Sequence, residues 1–268
     1  MHQIFTYHNQ NACGRYLKKT VRFFQELVFP CQCLNCRVLL NTDTADPGTS
    51  EVSFCQSCLA KGLPRFGPPF CPRCGHMFDM GENHICKTCL QHLPRISQVR
   101  SALSYQGLVR DIIPLFKYQA RLSLARFFEP LMFEAFLRFF EKADIHRILP
   151  IPLHTRKLRQ RGFNQSFLLV RGFSKTYGRI HGVQPLWQVD IRSVKRVRYT
   201  SPQTGLDVTV RRKNLKNAFQ VTDPGAVKDC NVLLVDDVYT TGATCTEVAR
   251  VLLAAGASRV DVLVLARA

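Results

Sequence analysis

Apolar and polar positions divide this chain into two regions. From Ser97 onward they recur with the periods of strands and helices; before it they largely do not. "QVRSALSY" (98–105) alternates and predicts a strand. "LVRDIIPLFKYQ" (108–119) and "LARFFEPLMFEAFLRFFEKA" (124–143) repeat apolar residues at helical spacing. "HRILPIPL" (146–153) reads as a short buried strand broken by prolines, and "NQSFLLVRGFSKTYG" (164–178) as one helix ending at Gly178. At the C-terminus, "NVLLVDD" (231–237), "TTGATCTEVARVLLAAGA" (240–257) and "RVDVLVLAR" (259–267) read as strand, helix and strand. That order predicts a parallel βαβ unit and an α/β domain over 97–268. Upstream, "GRYLKKTVRFFQELVFP" (14–30) reads as an amphipathic helix closing a segment 1–30 and stopped by Pro30.

Residues 31–96 show little apolar periodicity. They carry nine of the twelve cysteines and six prolines, so something other than an apolar core must hold them together. The spacings answer what. Cys33-x2-Cys36, Cys55-x2-Cys58, Cys71-x2-Cys74 and Cys86-x2-Cys89 are four knuckles. Two thiolates two residues apart grip one Zn²⁺ from a tight turn, and two such pairs complete a tetrahedral site of four sulfurs. Four pairs predict two zinc sites, paired sequentially or cross-braced. Four Cys ligands per ion leave no open position, so the metal is expected to be structural.

Charge adds a partner class. Across 268 residues, 37 Lys+Arg face 19 Asp+Glu, a formal net charge of +18. Residues 1–97 hold 10 basic and 6 acidic residues, and 98–268 hold 27 and 13, so the excess lies in the second part. Within 154–216, 15 Lys+Arg stand against only Asp190 and Asp207. Such a field favours polyanions: nucleic acid, phosphorylated small molecules or an anionic surface. The N-terminus "MHQIFTYHNQNACGR" has no secretory pattern and no run of about 18 apolar residues occurs, so no membrane span and a cytoplasmic location are expected. In that compartment, cysteines at this density point to metal rather than disulfides.

The most specific stretch is "VLLVDDVYTTGAT" (232–244). A buried strand delivers Asp236 and Asp237 to its C-terminal edge, where ligands bind in open α/β sheets. Thr240, Thr241, Gly242, Ala243 and Thr244 then turn into a helix whose N-terminal N–H groups suit an anion. Two carboxylates beside an anion cradle make sense if the ligand offers hydroxyls as well as phosphate. A ribose 5-phosphate offers both.

These thirteen residues resemble the phosphoribosyl pyrophosphate (PRPP) signature of type I phosphoribosyltransferases, with Tyr239 where an aliphatic residue is usual. Together with "PIPLHTRKLRQRGFNQS" (150–166), "SPQTGLDVTVRRKNLKNAF" (201–219) and the cysteine knuckles, they resemble the ComF family in the same order over nearly the whole chain. The resemblance implies a type I phosphoribosyltransferase-like parallel sheet flanked by helices, preceded by a small Cys-rich zinc-binding module. It implies that Asp236 and Asp237 bind ribose hydroxyls, that Thr240 through Thr244 bind the 5-phosphate, and that Leu153, His154 and Thr155 hold pyrophosphate with Mg²⁺. Arg156, Arg159 and Arg161 would add charge there. Residues 196–214 would form a flap in which Arg211 and Arg212 close over the ligand.

The family resemblance also implies a role in natural transformation. A PRPP/Mg²⁺-binding protein would assist uptake of single-stranded DNA, its basic surface on phosphates and its zinc module on a DNA-translocating helicase. The alternatives are an active PRPP-dependent phosphoribosyltransferase with an unknown acceptor, or an accessory protein of metal or iron–sulfur metabolism. Chemistry by positioning and electrostatics would need no nucleophile, and no Ser/His/Asp or Cys/His set stands out. The implied fold often dimerises, so a homodimer is expected.

Overall fold

The computed structural model of the protein describes residues 32–40, 54–91, 95–118, 121–200 and 214–268. The expected helix over 14–30, Arg211, Arg212 and the flap residues 201–213 lie outside them. The chain forms two compact units, Met1–Leu59 and Ala60–Ala268. The two cysteine sets therefore belong to different units. Among the described residues no helix is long and apolar enough to cross a membrane.

In the first unit the Cys33–Cys36 knuckle and helix α1 (Gln56–Leu59) bring four cysteines together. The second unit opens with a knuckle of the same form at Cys71–Cys74, followed by α2 (Lys87–Gln91). In both knuckles the residue after the second Cys takes a left-handed backbone, Arg37 at φ 64° and Gly75 at φ 65°. Each such residue donates its N–H to the carbonyl of the first Cys, at 3.0 Å in both cases. Arg37 tolerates the turn, whereas a Cβ on Gly75 would sit 2.7 Å from the carbonyl oxygen of Val99. The glycine is needed there because the second knuckle lies directly against the sheet.

The contact is with β1 (Val99–Ser104), an edge strand of the five-stranded parallel sheet. Val99 N donates to Arg73 O at 2.7 Å, and Arg100 Nη1 donates to Pro72 O at 2.8 Å. Two helices follow, α3 (Gly107–Tyr118) and α4 (Ser123–Phe140), each burying one apolar face that includes Ile112, Phe116, Phe128 and Phe136. Then come β2 (Arg147–Pro150) and α5 (Thr155–Arg161), a helix with no buried residue.

The single helix expected over 164–178 is two helices, α6 (Gln165–Leu168) and α7 (Phe173–His181). Glu129 of α4 explains the break. Its Oε1 accepts the Gly172 N–H at 2.7 Å, drawing that backbone out of the helical ladder. The second helix also runs past Gly178 and stops at Gly182, which takes the left-handed capping conformation at φ 72°.

Three short strands come next: β3 (Gln188–Val189), then β4 (Val194–Arg196) and β5 (Phe219–Val221), which pair as an antiparallel ribbon. The C-terminal strand, helix and strand appear as read from the pattern: β6 (Asn231–Tyr239), α8 (Ala243–Ala254) and β7 (Arg259–Arg267). The strand order is β1-β7-β6-β2-β3, all pairs parallel. β6 and β7 occupy the middle and are buried along most of their length, as expected for strands covered on both faces.

Register decides where the site forms. β2 pairs with β6 only as far as Pro150 opposite Val235. β6 continues beside β7 to Tyr239 opposite Arg267. Asp236 and Asp237 therefore lie just past the end of one neighbouring strand while still held by the other. That opens a crevice at the carboxyl end of the sheet, the usual ligand position in open α/β folds.

Candidate functional site

The two aspartates are enclosed by residues from several elements. Asp237 is buried, and its Oδ1 lies 2.7 Å from Lys117 Nζ at the C-terminal end of α3. Asp236 Oδ1 accepts from Ser166 Oγ at 3.0 Å and from the Asp237 N–H at 2.9 Å. Burial and the neighbouring Asp237 charge raise the Asp236 carboxyl to about 7, against the lowering pull of Lys117 and these hydrogen bonds. Burial alone would lower the Lys117 ammonium, but the attraction of both carboxylates keeps it above its usual range. The pair is thus a constrained acidic centre with its own internal cation.

Beyond the acids the chain turns through Thr240 and Thr241 into α8. Gly242 caps the helix at φ 69°, and Thr241 Oγ1 accepts the Ala243 N–H at 3.4 Å. A Cβ on Gly242 would collide with the ring and hydroxyl of Tyr239. The departure at Tyr239 thus has a structural role: the buried ring fills the space beneath the loop, which only glycine leaves free. The first turn of α8 has no acidic residue, consistent with an anion at that end.

Arg267, at the end of β7, braces the same loop. Its Nη1 donates to Tyr239 O at 3.1 Å and to Thr240 O at 3.2 Å, and its guanidinium lies 5.0 Å from the Tyr239 ring centroid. Its Nε donates to Cys74 O at 3.3 Å. One side chain therefore joins the anion-type loop to the second cysteine cluster.

On the opposite side stands a group of cations. Leu153, His154 and Thr155 follow β2, and His154 caps α5 by accepting the Arg156 N–H on Nδ1 at 3.2 Å. Burial, together with repulsion from Arg196, Arg161 and Lys117, pulls Lys157 down to about 8. Arg196 feels burial, the attraction of Asp236 and the repulsion of Arg161. Its Nε is buried with no hydrogen-bond partner among the described residues. Unsatisfied buried donors of this kind are rare.

The structure thus brings Asp236, Asp237, the 240–244 loop and the 153–155 loop to one end of the sheet. Sequence reasoning did not single out Lys117, Lys157, Ser166, Arg196 or Arg267. Lys157 and Ser166 stand inside the 150–166 motif and Arg196 opens the expected 196–214 flap, whereas Lys117 is a lone cation on an amphipathic helix and gives no local signal.

The cysteines pair sequentially. Cys33, Cys36, Cys55 and Cys58 form one set and Cys71, Cys74, Cys86 and Cys89 the other, with all sulfurs of a set within 4.8 Å of one another. The cross-braced arrangement is not formed. Burial pushes Cys33 and Cys71 up, but backbone N–H groups overcome it and lower them to about 6 and about 7. One such donor is Cys86 N, 3.4 Å from Cys71 Sγ. Burial pushes Cys58 up to about 12. Thiolate-stabilising amides around four convergent sulfurs suit a soft or borderline cation, so each set could hold a metal ion.

The raised carboxyl of Asp236 gives a test of the site's energetics. Its folded-state value lies above the ordinary 3.8, so this group contributes stability at low pH that is lost as pH rises through about 7. Asp236→Asn is expected to melt at a higher temperature than the wild type at pH 8. Thermal unfolding should show that difference shrinking as pH falls towards about 4.

Comparison with known proteins agrees with this architecture. Residues 187–268 match the phosphoribosyl transferase domain family. The DNA utilization protein YhgH of Salmonella typhi is 31% identical over 245 residues, covering 90% of this chain and 99% of that protein. Competence protein F of Haemophilus influenzae is 30% identical over 248 residues, 90% of this chain and 98% of that one. Competence protein ComFC of Bacillus subtilis is 27% identical over 209 residues, 75% and 78% respectively. With the parallel sheet, the acidic strand end and both cysteine clusters in place, this chain belongs to the ComF family and has a phosphoribosyltransferase-like fold.

Proposed function

We propose that the protein binds PRPP with Mg²⁺ at the carboxyl end of its sheet and assists the handling of single-stranded DNA during natural transformation. The observation that carries the first half is the charge order across the crevice. An acid pair lies between an anion-type loop at 240–244 and a cationic group made of Lys157, Arg161 and Arg196. PRPP has the matching order: a 5-phosphate, vicinal hydroxyls and a pyrophosphate. In this reading the loop takes the 5-phosphate, and Asp236 and Asp237 take the hydroxyls with the divalent cation beside them. Leu153, His154 and Thr155 line the pyrophosphate end with the cations. Arg211 and Arg212, outside the described residues, remain family expectations for the same ligand.

Mg²⁺, when bound with PRPP, would neutralise pyrophosphate charge. The chain's own contribution is positioning. The residues around Asp236 hold it as an acceptor, Gly242 permits the loop to turn, and the half-buried cations favour charge that collects on a leaving group. Among the described residues no acceptor-binding element is legible, and the reading stops at PRPP binding without naming a transferase reaction.

A second observation supports the nucleic-acid half. Arg156 and Lys157 lie 4.9 and 5.8 Å from the Tyr199 ring centroid, with the His154 ring at 5.5 Å. Arg161 lies 4.9 Å from the ring of Tyr118, which is 66% exposed. Exposed α5 thus presents cations between two aromatic rings, the combination that binds single strands through phosphate contact and base stacking. The names of the competence relatives favour the same role. Structural Zn²⁺ in the two four-cysteine sets would complete the protein. A helicase docked on the cysteine module and a homodimer are further expectations of the family.

Three measurements test these readings. Calorimetry at about pH 7.5 should detect PRPP with Mg²⁺ in the wild type and not in Asp236→Asn/Asp237→Asn. Affinity should fall below about pH 7 as Asp236 protonates and above about pH 8 as Lys157 loses its charge. No binding to the wild type at any pH sinks the ligand assignment. For DNA, Tyr199→Ala and Tyr118→Ala should each weaken oligothymidylate binding by about 1–3 kcal/mol with little change in salt slope, whereas Arg156→Ala should reduce that slope. Metal analysis of anaerobically purified protein should give about two Zn²⁺ per chain, one per four-sulfur set; iron with visible absorbance would overturn the zinc assignment.

A further inference from the structure

The acid pair meets a cation before any ligand arrives. The Lys117 ammonium already pairs with the second acid, with Nζ 2.7 Å from Asp237 Oδ1. Its position is fixed from behind: the Lys117 carbonyl accepts from Gln165 Nε2 at 3.4 Å, and Gln165 Oε1 accepts from Arg161 Nη1 at 3.1 Å. The ammonium also lies close enough to Lys157 to repel it, so it stands at the border between the acids and the cationic group. A flexible four-carbon stem lets an ammonium change partners without moving the backbone.

We propose that Lys117 is a tethered counter-ion that occupies the cation position of the acid pair in the ligand-free protein and transfers to the anionic ligand when a divalent cation takes its place. The proposal deepens the PRPP reading and rests on it for the identity of the anion. Its first consequence is selectivity. A bare divalent cation must displace an ammonium already paired with Asp237, so the free metal binds weakly. A cation arriving with a pyrophosphate offers the displaced ammonium a new partner beside Lys157, Arg161 and Arg196. Cation and anion are thereby coupled through one side chain, each favouring the other's binding. The second consequence is protection: without ligand, two adjacent carboxylates do not face each other uncompensated.

Lys117 would act as a positioning residue, and Mn²⁺ alone, without PRPP, is the direct probe. Mn²⁺ binding is followed by the paramagnetic resonance signal of the free ion at about pH 8, with circular dichroism checking the fold. Lys117→Gln is expected to bind Mn²⁺ at least tenfold more tightly than the wild type. Lys117→Arg, which keeps the charge, should remain weak, and adding Asp237→Asn to Lys117→Gln should remove the gain. Unchanged or weaker Mn²⁺ binding by folded Lys117→Gln overturns the proposal.

If Lys117→Gln does not fold, the wild type decides. Amine acylation mapped by mass spectrometry should find Lys117 slow relative to exposed Lys195, and severalfold faster when Mn²⁺ is saturating. An unchanged ratio overturns the proposal. Neither probe contains PRPP. Tighter Mn²⁺ binding by Lys117→Gln without PRPP binding by the wild type would therefore sink the ligand reading and leave the counter-ion standing, and the reverse pattern would do the opposite.

Discussion

Two like charges on consecutive residues at the end of a buried strand impose the central constraint on this molecule. Asp236 and Asp237 can sit there only if charge and hydrogen bonds reach them from elsewhere. Two of those groups come from far apart in the chain, Lys117 from α3 and Ser166 from α6, and the Asp237 N–H adds a local one. The register that ends β2 at Pro150 while β6 runs on to Tyr239 opens the space they converge on. A fold optimised only for stability would place apolar side chains here, as it does at Val232 through Val235 immediately before. The charged pair is a local cost of the kind found at binding sites.

The second cysteine cluster belongs to the same mechanical system. Its knuckle is tied to β1 through Val99 and Arg100, and to the loop after β6 through Arg267. Gly75 and Gly242 mark two tight points of that assembly: one leaves room for the Val99 carbonyl, the other for the Tyr239 ring. A metal holding Cys71, Cys74, Cys86 and Cys89 would thus stiffen a turn that supports the anion-type loop. The first cluster forms from its own residues, with Asn35 Nδ2 donating to Cys58 Sγ at 3.3 Å.

Much of this was legible along the chain because the relevant signals are local. The 2- and 3.6-residue periods located β1, α3, α4, β2 and the C-terminal β6-α8-β7 unit. Four CxxC spacings identified the cysteine pairs, and the acid pair with its Thr/Gly turn marked the candidate site. The misreadings were also physical. The helix drawn through 164–178 breaks because Glu129, some forty residues earlier, captures the Gly172 N–H. Tyr239 stands where the motif usually has an aliphatic residue, and only the fold shows its ring against the Gly242 turn.

The sequence by itself determined the fold class, the family, the acid pair and the presence of metal-type knuckles, because each is written in neighbouring residues or fixed spacings. Tertiary structure decided which knuckles pair, since both sequential and crossed arrangements satisfy the same spacing rule. It decided that the second cluster is built onto the sheet and linked to the loop. It also decided the charge state of the site. Lys117 and Asp237 are separated by about half the chain, and nothing local relates them. Only the fold, which brings the last turn of α3 to the end of β6, places an ammonium and a carboxylate 2.7 Å apart. Coulomb energy depends on distance in space and on burial, and a linear sequence carries neither quantity.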